Sequence, residues 1–262
     1  MTRLIVNADD FGRSRGINRG VVECHEHGVV TSASLMTVWP ASREAADAAS
    51  SRPCLSVGFH IDLGEWLYRD HAWECTYLRV PLDDERAVRA EIQRQLRVFR
   101  QLVGGDPTHL DSHQHVHREE PVRTVLVELG RELGVPVRHE SPVVQYRGDF
   151  FGQSRTGESL PAALSVEALV HVLDLLPDGT IELACHPGYA DDLSTGYRRE
   201  RALEVATLCD GRLPAELERR GIALVSFSGS VAEPARLRPK GGPPEMIDQL
   251  ETPALRVGPA AR

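Results

Sequence analysis

Apolar runs of strand length alternate with amphipathic runs of helical length from the first residues to about Phe227, and this alternation leaves few folds open to the chain. Strands are expected at 3–7, 32–36, 55–59, 108–111, 136–138, 180–185 and 222–227. The helical period recurs at 17–27, 42–49, 84–102, 121–133, 166–176, 199–207 and 213–220. The segment 84–102 shows it best, with Val88, Ile92, Leu96 and Phe99 on one face. Gly28 stops the first helix, and Pro121 sits in the first turn of the fourth. Repeated strand–helix units imply a parallel sheet with right-handed crossovers. Seven such strands either close into a barrel related to the (β/α)8 form or stay open as a doubly wound sheet. Periodicity alone leaves both open.

Length and charge narrow the function classes. With 262 residues, 41% of them hydrophobic, the chain can fill one large α/β core or two small ones. A net charge of −8 argues against a nucleic-acid or anionic-membrane surface. No apolar run approaches the roughly 18 residues that span a bilayer. The chain opens directly into a strand at Leu4, so no signal peptide is expected. The five cysteines are odd in number and never form CxxC, a pattern that suits reduced thiols in the cytoplasm. From about residue 230 the chain turns rich in Pro, Gly and Arg and loses its apolar period. A catalytic domain over 1–229 and a disordered tail over 230–262 are therefore expected. A small-molecule substrate is the expected partner, and a homodimer stays open.

Two connections are long for their position, 64–83 and 141–165. The first carries Trp66, Tyr68, Trp73 and Tyr77, and the second Tyr146, Phe150 and Phe151, in a chain that is only 5% aromatic. Flat rings suit the apolar face of a sugar. Anchoring of their own loops explains them equally well.

The chemistry gathers where strands end, which is where α/β proteins bind ligands. The segments 7–12 (NADDFG), 57–60 (VGFH) and 109–117 (HLDSHQHVH) each follow an apolar stretch, and 185–188 (CHPG) repeats the pattern. One Asp and two His form a facial set that holds a divalent cation and leaves positions for water and substrate. His109, Asp111, His113, His115 and His117 share one parity. A strand that ends near Asp111 leaves His113 at the rim and the other histidines in supporting or loop roles. A cation in such a site polarises a carbonyl and activates water, a second carboxylate takes the proton, and an acid protonates the leaving amine. Asp9 and Asp10 can divide the carboxylate roles because neighbouring side chains diverge. His186 can supply the acid, or it can be a capping or core histidine. Arg138, at the end of a strand, pairs with a carboxylate for catalysis or for structure alone.

Taken in order, NADDFG, VGFH, THLDSHQHVH and CHPG resemble the YdjC-like carbohydrate deacetylases. That family includes chitooligosaccharide and hopanoid-associated deacetylases and is distantly related to NodB-type polysaccharide deacetylases. The resemblance runs from Arg3 to about Phe227. It implies a distorted (β/α) barrel of about seven parallel strands that removes an N-acetyl group from an amino sugar. It implies Asp10, His60 and His113 as ligands of one Mg2+ or Zn2+, Asp9 as general base and His186 as general acid. Trp66, Tyr68, Trp73 and Tyr146 are then the expected sugar contacts. The chain departs from the pattern at Asp62, where many relatives carry Asn. That carboxylate is expected close to the metal, contacting a cationic substrate group or tuning the site. The segment 64–83 also differs from that of a chitobiose enzyme. A phosphoesterase on the same fold would want more ligands and more arginines than the motifs hold. A non-catalytic sugar-binding barrel would need neither acid nor base.

Overall fold

The computed structural model describes residues 1–69, 71–189, 191–193 and 196–229. The expected tail, 230–262, lies outside them. In order come β1 (Thr2–Phe11), α1 (Arg15–His27), β2 (Ser32–Leu35), α2 (Ser42–Ser50), β3 (Ser56–Ile61), β4 (Gly64–Arg69), β5 (Ala72–Leu78) and α3 (Glu85–Val103). There follow β6 (Leu110–Ser112), a 3-10 segment (His113–Arg118), α4 (Val122–Leu133), β7 (Val144–Arg147), α5 (Val166–Asp174), β8 (Gly179–Cys185), α6 (Arg199–Leu208), α7 (Leu213–Arg219) and β9 (Ala223–Leu224).

Seven strands form one parallel sheet in the order β6-β3-β2-β1-β8-β7, with β9 paired to the first half of β1. The central strands are buried on both faces: Asn7, Asp9, Ser34 and His60 on one, and Leu4, Val6, Ala8, Ala33, Leu35, Val57 and Phe59 in the apolar core on the other. The helices lay their apolar faces on it. On α3 the expected Val88, Ile92, Leu96 and Phe99 are buried, together with Gln95, and Phe99 meets Phe59 with ring centroids 5.7 Å apart. Ser14 caps α1 by accepting the Ile17 N–H, and Gly104 closes α3 with φ of 81°.

Two expectations about strands are corrected. Residues 136–138 form only a single parallel bridge, Val137 to Leu110, because His139 turns into the left-handed region at φ of 66°. The strand that completes the sheet is β7, inside a stretch expected to be loop. Between β6 and β7 the described backbone leaves the sheet open, and side chains fill the gap. The Tyr146 ring on β7 lies 4.3 Å from His139 and 5.4 Å from His115, centroid to centroid. The stretch 64–83, also expected as loop, is largely the antiparallel hairpin β4–β5. Aromatic residues at Trp66, Tyr68, Trp73 and Tyr77 suit a ribbon, and Tyr68 packs against its cross-strand partner Trp73 at 5.5 Å.

Candidate active site

Asp9, Asp10, His60, His113 and His186 lie at or just beyond the carboxyl ends of sheet strands, and Arg138 follows the single bridge at Val137. Strict alternation would send Asp9 and Asp10 to opposite faces of β1. Instead Asp10 takes φ of 65°, and the register with β2 shifts between Ala8 and Phe11. This strained backbone, uncommon for a residue with a Cβ, turns both carboxylates into one cleft. The 3-10 segment does the opposite for the histidines. Gln114 and His115 have φ of 50° and 54°, so the shared parity ends at His113 and only that imidazole reaches Asp10.

Asp10, His60 and His113 converge, with ligand atoms all within 4.8 Å of one another. Oδ1 of Asp10 is 3.1 Å from Nδ1 of His113 and 3.5 Å from Nε2 of His60, is fully buried, and forms a hydrogen bond with neither. On its far side, Nδ1 of His60 donates to Oδ1 of Asp111 at 2.7 Å, so Nε2, which faces Asp10, is the nitrogen that can offer a lone pair to a cation. A buried carboxylate oxygen with two imidazole nitrogens beside it and no hydrogen bond is a donor set that fits a cation, which would take the place of the imidazole protons. As the residues stand, burial opposes charge on all three, and mutual attraction outweighs it. Asp10 is held well below the usual carboxylate range by Arg201 and His113, while His60 is pushed up to about 10 by Asp111 and Asp10.

Arg138 organises the second carboxylate. Its guanidinium is buried and donates to both oxygens of Asp9 at 2.6 and 2.7 Å, with Asp111 at 2.8 Å and Glu182 at 2.5 Å. Burial raises the Asp9 pKa, but Arg138 more than offsets this and keeps the carboxylate ionised. Asn7 donates to Asp9 Oδ1 at 2.9 Å. Across the cleft, Nε2 of His186 lies 3.8 Å from Oδ2 of Asp9. The His186 ring is flanked by Phe151 at 5.5 Å and Tyr197 at 5.7 Å, and Glu204 accepts from its backbone N–H. Burial lowers the His186 pKa to about 4, so it is neutral at pH 7 as it stands.

A cleft of about 530 Å³ opens above these groups and is walled by Trp66, Tyr68, Trp73 and Tyr146. Trp73 is the outermost, 57% exposed at the rim. Tyr77 and Asp62 are not part of that wall, so the expectation for Asp62 is corrected. Its carboxylate accepts from Trp39, Tyr77 and Arg79 at 2.9, 2.9 and 2.7 Å, and it latches the hairpin to the body. With its oxygens so used, it neither faces the cleft nor meets a substrate cation.

Several site residues carried no signal of role in the sequence. Arg201 on α6 binds Oδ2 of Asp10 and the carbonyl of His186. Arg13 meets Glu65 at 2.6 Å, and Glu182 lies beneath Arg138. The other histidines take supporting places. His109 stacks on Phe227 at 3.8 Å and bonds Ser34. His117 donates from Nε2 to the Arg138 carbonyl and accepts from Ser112 at Nδ1, so both its nitrogens are used. The clusters His115–His117–His139 and Asp9–His60–Asp111 also have donor atoms close together. The first includes this satisfied His117, and the second encloses the Arg138 cation.

Comparison with known proteins places the chain in a family. The family described as YdjC-like protein matches residues 3–219. A carbohydrate deacetylase from Geobacillus stearothermophilus is 36% identical over 245 residues, covering 85% of this chain and 96% of that protein. A chitooligosaccharide deacetylase from Serratia marcescens is 31% identical over 254 residues, covering 86% and 97%. Among solved structures, a candidate cellobiose-phosphate cleavage protein from Enterococcus faecalis V583 superimposes with a TM-score of 0.71 at 26% identity, covering 88% of this chain and 99% of that one. A family 4 carbohydrate esterase from Streptomyces lividans shares the fold, with a TM-score of 0.51 at 15% identity over 88% and 97% of the two chains. With the motifs, the strand-end site and a match over most of its length, the chain belongs to the YdjC-like family.

Proposed function

We propose that this chain is a metal-dependent deacetylase that hydrolyses the N-acetyl group of an amino sugar or small glycoconjugate. The observation that carries the reading is the single cleft in which a carboxylate–imidazole–imidazole donor set faces a separate carboxylate and a separate imidazole. Asp10, His60 and His113 would hold one divalent cation. Imidazole donors suit Zn2+, and Mg2+ is the alternative. The cation would supply Lewis-acid polarisation of the acetyl carbonyl and acidification of a water.

The rest is done by the chain's own groups. Arg138 keeps Asp9 in the ionised form that a base requires, and Asp9 takes the proton from the attacking water. His186 is neutral before reaction and must gain a proton before giving one up. Oδ2 of Asp9, at 3.8 Å, is placed to relay the water's proton to Nε2 and on to the leaving amine. Arg201 occupies Oδ2 of Asp10 and so leaves Oδ1 turned towards the two histidines. Trp66, Tyr68 and Tyr146 offer ring faces to the sugar, in a cleft of the size that takes small ligands.

Arginines are more numerous at the site than the motifs suggest, but this does not favour a phosphoesterase. Arg13, Arg138 and Arg201 are each paired with a carboxylate, which leaves the exposed Arg69 at the cleft wall as the one arginine there without a carboxylate among the described residues. The odd cysteine count supports a reducing compartment, and we place the enzyme in the cytoplasm. Among the described residues no helix is long and apolar enough to cross a membrane.

The test is acetate release from a panel of N-acetylated mono- and oligosaccharides. Release should stop after chelation and return on adding Zn2+ or Mg2+. Release that persists in chelator, or a panel whose glycosidic bonds are cleaved without acetate release, would refute the reading.

A further inference from the structure

The two candidate ligand histidines are held differently, and the difference singles out a residue outside all four motifs. Behind His60 stands Asp111. Behind His113 stands Glu65 of the β4–β5 hairpin, with Oε1 3.6 Å from Nε2. We propose that Glu65 is a positioning residue for the metal centre, orienting His113 as Asp111 orients His60, and that it couples the position of the hairpin to the metal site. The proposal rests on the ligand set advanced above.

The argument is one of proton placement. Nδ1 of His113 faces Asp10. For Nδ1 to give its lone pair to a cation, the ring proton must sit on Nε2, where it needs an acceptor. Two groups flank Nε2: Oε1 of Glu65, and Nη1 of Arg13 at 3.4 Å. A guanidinium only donates, so Arg13 by itself would favour the tautomer with the proton on Nδ1, which cannot ligate. Glu65 supplies the acceptor that the ligating tautomer requires. A shift of about 0.6 Å would close the distance to an ordinary hydrogen bond.

The hairpin is built to deliver that carboxylate. Glu65 pairs with Tyr77 and Trp66 with Cys75, so Thr76 is an extra residue, and its hydroxyl donates to the Glu65 carbonyl at 2.9 Å. Bulges of this kind re-aim side chains beside active sites. Glu65 is 8% exposed, whereas the hairpin's second strand is mostly exposed. Gln114, the neighbour of His113, ties the hairpin down through two 2.8 Å hydrogen bonds to the Trp66 backbone. The residue that orients a ligand therefore adjoins in sequence the ring offered to the sugar.

The rival explanation is that Glu65 only neutralises the buried Arg13. Zn2+ titrated calorimetrically into the chelator-stripped full chain separates the two. Relative to wild type, Glu65→Ala should weaken Zn2+ binding by about 10–100-fold, the usual cost of losing an outer-shell partner. Glu65→Gln keeps an acceptor oxygen and should recover affinity to within about threefold, even though it unpairs the Arg13 charge. His113→Ala should abolish tight binding. Wild-type affinity in Glu65→Ala alongside lost binding in His113→Ala overturns the proposal while leaving the ligand set standing. A Glu65→Gln variant as weak as Glu65→Ala also overturns it. Unchanged binding in His113→Ala removes the ligand set and the proposal together. If Glu65→Ala does not fold, the pair Glu65→Leu with Arg13→Met removes both charges and takes its place, with the same expected loss.

Discussion

Glu182 provides a test of how the buried charge cluster is balanced. It is 2% exposed beneath Arg138, and its Oε1 accepts from Nε at 2.8 Å and from Nη2 at 2.5 Å. Arg138 also serves Asp9 and Asp111, so one cation faces three carboxyls. Burial and the neighbouring Asp111 outweigh the attraction of Arg138 and raise Glu182 from its ordinary 4.5 to about 7. A raised carboxyl favours the folded state in its protonated form. That contribution is complete below 4.5 and is lost as pH climbs towards about 7. At pH 8 the ionised group then costs roughly 3 kcal/mol relative to an unperturbed one. Gln keeps the shape and the acceptor oxygen and does not titrate. Glu182→Gln is therefore expected to stabilise the chelator-treated protein by about 1–3 kcal/mol at pH 8 and by less than about 1 kcal/mol at pH 5. Urea unfolding at the two pH values measures both differences. Destabilisation by more than about 1 kcal/mol at pH 8, or an equal difference at both pH values, would show that Arg138 holds Glu182 ionised and that the balance argued here is wrong.

Asp9→Asn and His186→Ala should keep bound metal and fold while turnover falls at least ~10²-fold, as for a missing acid or base; metal lost along with activity in Asp9→Asn would reverse the division of the two carboxylates. Trp66→Ala should lower kcat/KM for the best amino-sugar substrate roughly tenfold at normal metal content, about 1.4 kcal/mol of transition-state binding. Its backbone bonds to Gln114 would survive, so a fall in Tm without a kinetic change would make Trp66 an anchor only. Gly58→Ala should destabilise by about 1–3 kcal/mol in thermal unfolding, because a Cβ there would lie 2.2 Å from the His109 ring. A loss under about 0.5 kcal/mol would mean that the ring gives way.

The helices and most of the parallel strands were legible from the sequence because hydrophobic period is a local property. Each segment must bury one face or both, and that requirement is written into consecutive residues. The same holds for Asp9, Asp10, His60, His113 and His186: each lies beside its own strand end, so locating the strand locates the residue. Local reading failed where a single backbone angle decided the outcome. His139 at φ of 66° cut short the strand expected at 136–138, and nothing in an apolar run announces such a turn. The hairpin at 64–78 is not legible because its first strand is only partly buried and its second mostly exposed, so it lacks the continuous apolar run of a buried strand.

Only the tertiary structure decided how the site is charged. Asp9 and Arg138 are 129 residues apart, Asp10 and Arg201 are 191 apart, and Arg13 and Glu65 are 52 apart. A pairing over such distances leaves no period or spacing to read, since either partner alone resembles an ordinary surface charge. Burial gives each pair its meaning, because in a poorly polarisable interior an unpaired charge is too costly to keep and the partner must come from wherever the fold brings one. The same reasoning reassigns Asp62. Two residues from His60 in sequence, it was expected beside the metal, yet the reversal of the chain into β4 gives its oxygens to Trp39, Tyr77 and Arg79. Sequence thus located the groups that can do chemistry, because they sit where strands stop. Folding set their protonation, since that depends on which distant charges share their cavity.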